Sequence, residues 1–600
     1  MGIVAARRIS QGFFLLVFGW LCLVATLGDG LFELRGWPVN WLLSLDPLPA
    51  LATALATGSL YAPLLWAVPA VVLTLFLGRF FCGFLCPLGT LNQISGFLVR
   101  KGLGRPARAE DNRPGPAQGL KYALLALLLA AAVLGNVQTG LLDPLPLLTR
   151  SVDLGLLPLL DPRQGLGLGQ AEARHYDGAW VFGLVFIAIL AANALRPRFF
   201  CRYLCPLGAF FGLLVRFAPW RIGKATSDDC GACRRCEEYC EGGCRPSGKL
   251  IASECVLCLN CLARCPTGRI GFAGRASAAG EQPLPDFSRR GAVLVLASGT
   301  AGLVAAPLWS VGGVAGAGRN PGLIRPPGSL DEARFLARCI RCGQCMRVCP
   351  ANVIQPAFTV AGAAGIWTPT LDFRLGRAGC LQNCIACGQL CPTAAIRPLT
   401  LEEKLGQGDF AAVGPIRLGT AFVDRTRCLP WAMGRPCLVC QEVCPVSPKA
   451  ISVREVFEPL RAPRLTVAGV RGTEVTVAAL APVGRNLASG DFSLRPVGAP
   501  TQPPRRILGA SGVQLTLAAP LAEADTVPGR ELELVVRLEQ PHVDPARCIG
   551  CGMCEHECPV SGLRAIRVSS ENESRSGPGR MVADAAPQGG APCLRKQLPA

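Results

Sequence analysis

The stretch RCIRCGQCMRVCP, Arg338 to Pro350, sets Cys339, Cys342, Cys345 and Cys349 in the spacing C-x2-C-x2-C-x3-C-P. Three thiolates so spaced hold three corners of a [4Fe–4S] cube, and the fourth, ahead of proline, reaches a neighbouring cube. The same rhythm or a close variant returns at Cys230, Cys233, Cys236, Cys240 and at Cys255, Cys258, Cys261, Cys265. It recurs at Cys380, Cys384, Cys387, Cys391, at Cys428, Cys437, Cys440, Cys444, and at Cys548, Cys551, Cys554, Cys558. Chance does not produce six such runs, so the expected cofactors are up to six [4Fe–4S] clusters.

Composition narrows the alternatives. The 31 Cys in 600 residues would also suit a disulfide framework or zinc. Disulfide scaffolds do not repeat this clustering, and zinc knuckles use two separated CxxC pairs. The formal charge of +19 offsets clusters that carry about −2 each, and no basic run with interleaved aromatics points to nucleic acid. With only His175, His542 and His556 present, paired axial haem ligands are not expected. No glycine fingerprint for a nucleotide cofactor is evident.

Half the residues are hydrophobic and mean hydropathy is +0.37. Apolar stretches near 12–28, 61–79, 119–136 and 179–195 each approach the ~20 residues that span a bilayer. Arg7, Arg8, the basic residues of 100–121 and those of 196–224 sit on one side of these stretches. The loops at 30–60 and 137–177 are poorer in basic residues and hold Asp46, Asp143 and Asp153. The positive-inside bias therefore predicts a multi-pass protein of the bacterial cytoplasmic membrane, with its N-terminus and residues 228–285 in the cytoplasm.

This half repeats itself. RFFCGFLCPLG from Arg79 returns as RFFCRYLCPLG from Arg198, so that Cys82, Cys86, Cys201 and Cys205 form two C-x3-C-P elbows. Cys at i and i+4 share a helix face, and the following Pro ends the helix. Two adjacent elbows would converge four soft ligands on a redox site, a further Fe–S site or a dithiol pair. Cys22 reads as packing and Cys593 as unligated.

Further on, Arg289-Arg290 precede an apolar Gly/Ala-rich run to about Val314. This resembles a twin-arginine (Tat) export signal, the alternative being an ordinary fifth span; both place the C-terminal half outside. Between Cys444 and Cys548, RLTVAGV, TEVTVAAL, VQLTLAA and ELELVVRLEQ alternate with the period of strands. The Ser/Gly/Pro-rich end after about 568 reads as disordered.

With these motifs in hand, residues 1–285 resemble NapH and the wider NapH/NosR/CcoG-like membrane group. From the twin arginine onward, RCIRCGQCMRVCP and RCLPWAMGRPCLVCQEVCP resemble NapG/MauM-type exported ferredoxins, as though NapH/NapG-type (MauN/MauM-like) proteins were fused. The expected fold is an α-helical membrane domain of four spans plus a Tat-like fifth, with α+β ferredoxin-like polycluster domains and a β-rich insert. The expected domains are 1–227, the membrane part; 228–285, a cytoplasmic two-cluster ferredoxin; 286–318, the signal or anchor; 319–567, the exported four-cluster part with its insert near 455–540; and the tail 568–600. Likeness to four-cluster oxidoreductase subunits implies that the first exported motif pairs with the fourth and the second with the third. The first cytoplasmic motif departs from the pattern: Cys240 lacks a following Pro, and either Cys240 or Cys244 completes its set, with spacing favouring Cys240.

The resemblance implies electron flow from the membrane quinone pool, or from a cytoplasmic donor, to an exported reductase or cytochrome. The alternative is an accessory redox factor for maturation of an exported metalloenzyme. No general acid–base constellation stands out, and proton acceptors for quinol are unassigned.

Overall fold

The computed structural model describes residues 2–26, 39–99, 105–160, 174–226, 230, 233–274, 276–284, 297, 299–300, 320–460, 464–480 and 486–576. Nearly all of the expected signal segment 286–318 therefore lies outside the described residues, as do Cys593 and the chain beyond 576. Two compact bodies divide the chain: Met1–Gly376 with Asn383–Ile416 and Arg575–Ala600, and Arg377–Gln382 with Arg417–Ser574. The expected 319–567 unit is thus split between them.

The first body is built on helices at the four apolar stretches: Ile3–Thr26, Ala62–Leu77, Ala117–Val133 and Trp180–Ala194. Among the described residues only Ile3–Ala25 is long and apolar enough to cross a bilayer; the other three have 10–17 residues. Pro-led helices fill the gaps, and their starts are written locally. Asp46 accepts from the Leu48 N–H at 3.0 Å with Pro47 at the first helical position, and Gly58 at φ 66° closes Pro47–Thr57 in the left-handed region.

Three of the apolar helices are tied at both ends. At one end, Arg7 pairs with Glu241 at 3.1 Å, Lys121 with Glu254, and Arg198, just beyond the fourth helix, with Glu241 at 2.8 Å. At the other end, Val24 and Ala25 pack on Val348, the Val137 N–H donates to Leu336 O at 3.1 Å, and the Tyr176 hydroxyl donates to Met346 O at 3.2 Å. Glu241 and Glu254 belong to the 228–285 segment, whereas Leu336, Met346 and Val348 flank the Cys339–Cys349 motif or lie within it. The helices therefore run antiparallel between two cysteine-bearing layers. The Leu120–Val133 helix alone separates its two ends by about 20 Å.

The 228–285 layer is closed by a two-stranded sheet, β1 (Arg221–Lys224) with β2 (Ile270–Ala273). The other layer carries β3 (Ile354–Pro356) with β4 (Pro369–Leu371).

The second body begins with β5 (Thr420–Val423), which pairs with the last strand, β13 (Ile566–Ser569), around its two cysteine motifs. Between them run β6 (Ile451–Pro459), β7 (Leu465–Arg471), β8 (Glu474–Val477), β9 (Phe492–Pro496), β10 (Arg505–Ser511), β11 (Gln514–Leu517) and β12 (Glu531–Val543). Their order is β6-β12-β7-β8-β11-β10-β9, and β9 pairs back onto β12. The insert is thus a closed six-stranded antiparallel barrel with β6 added outside, and closure leaves no free edge among its strands. Leu532, Leu534, Val536 and Leu538 alternate along β12 into a core shared with Val475, Leu494, Ile507 and Leu515. The expected insert is present, and its onset at Ile451 precedes the predicted boundary. The tail is corrected: β13 reaches Ser569, and the Ser574 N–H donates to Arg417 O at 2.9 Å.

Candidate iron–sulfur sites and the double elbow

One local device recurs in all six motifs. The third cysteine (Cys236, Cys261, Cys345, Cys387, Cys440 or Cys554) sits on a helix of four or five residues, and the fourth follows its end. In three motifs the residues before the second cysteine and two before the third adopt the left-handed region. These are Leu257 and Leu259 (φ 51° and 58°), Arg341 and Gly343 (55° and 82°), and Gly550 and Gly552 (67° and 77°). A non-glycine residue there costs roughly 1–2 kcal/mol. The result is a chain curled so that thiols and N–H groups face inward around one centre.

Cys339, Cys342 and Cys345 share a recess with Cys391, the last cysteine of the next motif. Cys548, Cys551 and Cys554 share another with Cys444. Reciprocally, Cys558 acts on Cys428, Cys437 and Cys440. The Cys339–Cys349 motif therefore pairs with Cys380–Cys391 (motifs one and two), and Cys428–Cys444 with Cys548–Cys558 (three and four). This corrects the pairing implied by the four-cluster subunits: motif two lends its fourth thiol to motif one, and motifs three and four exchange theirs, as in the simplest two-cluster unit. Cys384 and Cys387 lie in the first body and Cys380 in the second, where its N–H donates to Cys551 O at 2.7 Å.

In the 228–285 layer, Cys236 and Cys261 pack with Cys255 and Cys265. Cys240 and Cys244 stand 3.5 Å apart, sulfur to sulfur, both beside Cys255. The structure brings both candidates to the same corner. Cys230 and Cys233 precede the Arg235–Glu238 helix that carries Cys236.

The donor chemistry fits the cluster. Burial raises the thiols of Cys428 to about 11 and of Cys440 and Cys551 to about 12, so deprotonation needs the positive charge of bound iron. N–H groups already point at sulfur: Ala421 N–H to Cys548 Sγ at 3.3 Å, Ile396 N–H to Cys391 Sγ at 3.5 Å and Cys244 N–H to Cys240 Sγ at 3.4 Å. Such bonds to ligand sulfur tune cluster potentials.

The two elbows have the same internal geometry. In each, the second cysteine and the leucine before it donate to one carbonyl: Leu85 and Cys86 to Phe81 O, Leu204 and Cys205 to Phe200 O, at 2.9–3.0 Å. The next turn donates back to sulfur, Gly89 N–H to Cys86 Sγ at 3.4 Å and Gly208 N–H to Cys205 Sγ at 3.2 Å. Cys82, Cys86, Cys201 and Cys205 lie within mutual electrostatic reach. The copies also exchange arginines. Arg198 donates to Cys82 O at 3.4 Å, and Arg79 lies so close to Gly208 that a Cβ there would stand 2.6 Å from Nη2.

Sequence reasoning gives Arg79, Arg198 and Lys121 no site role; the first two are nevertheless legible, because each opens its copy of the repeat. The elbow presses on the 228–285 layer: Arg79 donates to Ser253 O at 2.9 Å, and a Cβ on Gly83 would overlap the Val256 carbonyl. Buried Glu254 gathers Lys121, the Tyr122 hydroxyl (3.1 Å) and Arg79 (3.8 Å). Cys22, read as packing, is buried in the helical core.

Repeated thiol quartets of this kind define an iron–sulfur electron-transfer protein that binds multiple [4Fe–4S] clusters. Comparison with known proteins agrees. A 4Fe–4S binding domain family matches residues 59–106 and 178–225, each containing one elbow, and a second 4Fe–4S binding domain family matches 335–355 and 541–564. The chain is homologous to ferredoxin-type proteins. It is 28% identical over 257 residues to the putative electron transport protein YccM of Escherichia coli, covering 41% of this chain and 66% of that one. It is 30% identical over 239 residues to protein NirI of Paracoccus denitrificans, covering 38% and 32%. It is 33% identical over 140 residues to the methylamine utilization ferredoxin-type protein MauM of Methylophilus methylotrophus, covering 23% and 56%. The matched stretches thus span from about a third to two thirds of these relatives. No solved structure matches the chain.

Proposed function

We propose that this protein is a membrane-anchored electron conduit, taking electrons from membrane quinol or a cytoplasmic donor and delivering them to an extracytoplasmic reductase or cytochrome. The observation that carries this reading is the placement of cysteine motifs at both ends of one antiparallel helical layer. An assembly factor needs no such two-ended arrangement, so the geometry favours a conduit over a maturation role.

A lipid setting for that layer is supported by its outer face. Leu16 (75% exposed), Phe76, Leu184 and Ile187 are apolar and open, beyond what a water-facing surface usually shows. Exposed Trp66 and Trp180 stand at the helix ends nearer the Cys339 motif, and Phe217 and Trp220 at the opposite ends, as interfacial aromatic belts do. In this reading residues 228–285 face the cytoplasm and the chain after 319 faces outward. The 24 motif cysteines hold up to six clusters, which supply one-electron carriers, and the four elbow cysteines form the redox site between the layers. The buried cations Arg79, Arg198 and Lys121 would hold negative charge at the elbow.

The test is anaerobic EPR of the protein in lipid, before and after a quinol analogue. Reduced-cluster signals on quinol addition are expected; clusters that respond to dithionite alone would move the electron entry to a cytoplasmic donor or the role to maturation.

A further inference from the structure

A second repeat accompanies the elbows. LDPLP at Leu45–Pro49 returns at Leu142–Pro146, each time starting a Pro-led helix with Asp at its N-cap. The two acids meet in the fold. Asp46 and Asp143 are both 0% exposed and face each other. Asp46 Oδ1 accepts from Leu48 N–H, but among the described residues Asp46 Oδ2 and both Asp143 carboxyl oxygens have no donor. The Thr139 hydroxyl, on the turn before Asp143, is also buried without a partner.

Among the described residues no cation lies between the two facing carboxylates, which then cannot both stay ionised, so the pair must hold a proton. Burial raises both: it takes Asp46 to about 6 against the lowering effect of its hydrogen bonds with Asp143 and the Leu48 N–H, and the Asp46 carboxyl raises Asp143 further. The charged groups on the helices packed around them are engaged elsewhere. Lys121 and Tyr122 are with Glu254 at the far end of their helix; Arg150 donates to Gly140 O and Arg341 O, and Asp153 accepts from Gln344.

The pair adjoins the first exported motif. Asp143 N–H donates to Thr139 O at 3.0 Å, and the same turn carries Gly140, where a Cβ would overlap the Ile340 carbonyl between Cys339 and Cys342.

We propose that Asp46 and Asp143 form a shared-proton carboxyl pair that accepts the protons released when a hydroquinone gives its electrons to the cluster held by Cys339, Cys342, Cys345 and Cys391. The proposal rests on the quinol reading of the protein's function. In the first step an O–H bond of the donor would break, its proton passing to the ionised carboxyl and one electron leaving to the cluster that those four cysteines would hold. The pair then releases that proton outward and the electron moves to the next carrier. Repetition completes the balance: hydroquinone becomes quinone, with two protons and two electrons removed.

The experiment compares wild type, Asp46→Asn, Asp143→Asn and the double variant in lipid nanodiscs, with decylubiquinol as donor. Asn retains N-cap ability, and unchanged iron content with full dithionite reduction verifies folding. The expected result is roughly 10²-fold slower cluster reduction by decylubiquinol in each single variant. Infrared spectra should show a protonated-carboxyl stretch at neutral pH that the double variant lacks. Unchanged rates in the variants, or the absence of that band from wild type, overturn the pair. A wild type reduced by dithionite but never by decylubiquinol, with the band present, overturns the quinol reading and the pair's role in it.

Discussion

Arg198, which opens the second elbow, donates to the main-chain carbonyl of Cys82 in the first, while also pairing with Glu241 of the 228–285 layer. One buried side chain thus ties together both copies of the repeat and the adjoining 228–285 layer. Arg79 makes the reciprocal contacts, against Gly208 and Ser253. A thiol set locked by such crossed contacts is preorganised, as a redox site requires.

The elbow thiols can be tested directly. Cys82→Ser combined with Cys201→Ser is expected to slow electron passage between the layers by roughly 10–100-fold, on the scale of disturbed metal sites. Stopped-flow absorbance under a quinol analogue, with iron content measured in parallel, gives the result. Unaltered kinetics with unaltered iron would reduce the four cysteines to packing.

Motif pairing makes a distinct prediction. Cys391→Ala should remove the same reduced-cluster EPR signal as Cys342→Ala, because both line one recess. Were Cys391→Ala instead to match Cys548→Ala, the pairing of motif one with motif two would fail.

Gly140→Ala places a methyl group against the Ile340 carbonyl. Overpacking of this kind costs about 1–3 kcal/mol. Thermal unfolding in detergent, followed by cluster absorbance, should show the loss, and quinol-driven reduction should slow with it.

Glu332 supplies a pH dependence. Burial alone would raise its carboxyl, but Arg325 and Arg575 (3.1 Å) more than offset this and hold it below its ordinary 4.5. A group lowered in the folded state contributes stability above its unfolded value, lost as pH falls through the folded one. Glu332→Gln should therefore destabilise by about 2 kcal/mol at neutral pH, tempered by partial exposure. That difference should shrink below pH about 4.5. An equal difference at all pH values would assign the residue a packing role.

The local code is legible wherever neighbours in sequence are neighbours in space. Cysteine spacing identifies six cluster motifs because each curls over a dozen residues, and alternating Val and Leu announce β7, β8, β11 and β12. Strands β9 and β10 escape that reading because FSLRP and RRILGAS carry few alternating apolar residues. The apolar runs locate the helices, though their regular cores are shorter than the runs, since Pro, Gly and 3-10 turns interrupt them.

By itself, then, the sequence determined the cofactor class, the repeat of the elbows and the existence of a β insert, all carried by short-range spacing. Only the tertiary structure decided which motif lends its fourth thiol to which neighbour, whether the insert closes into a barrel, and how Arg79 and Arg198 cross between copies. It also brought Asp46 to Asp143. These outcomes depend on where chain reversals return distant segments, and packing of whole helices and strands settles that, a property no local pattern encodes.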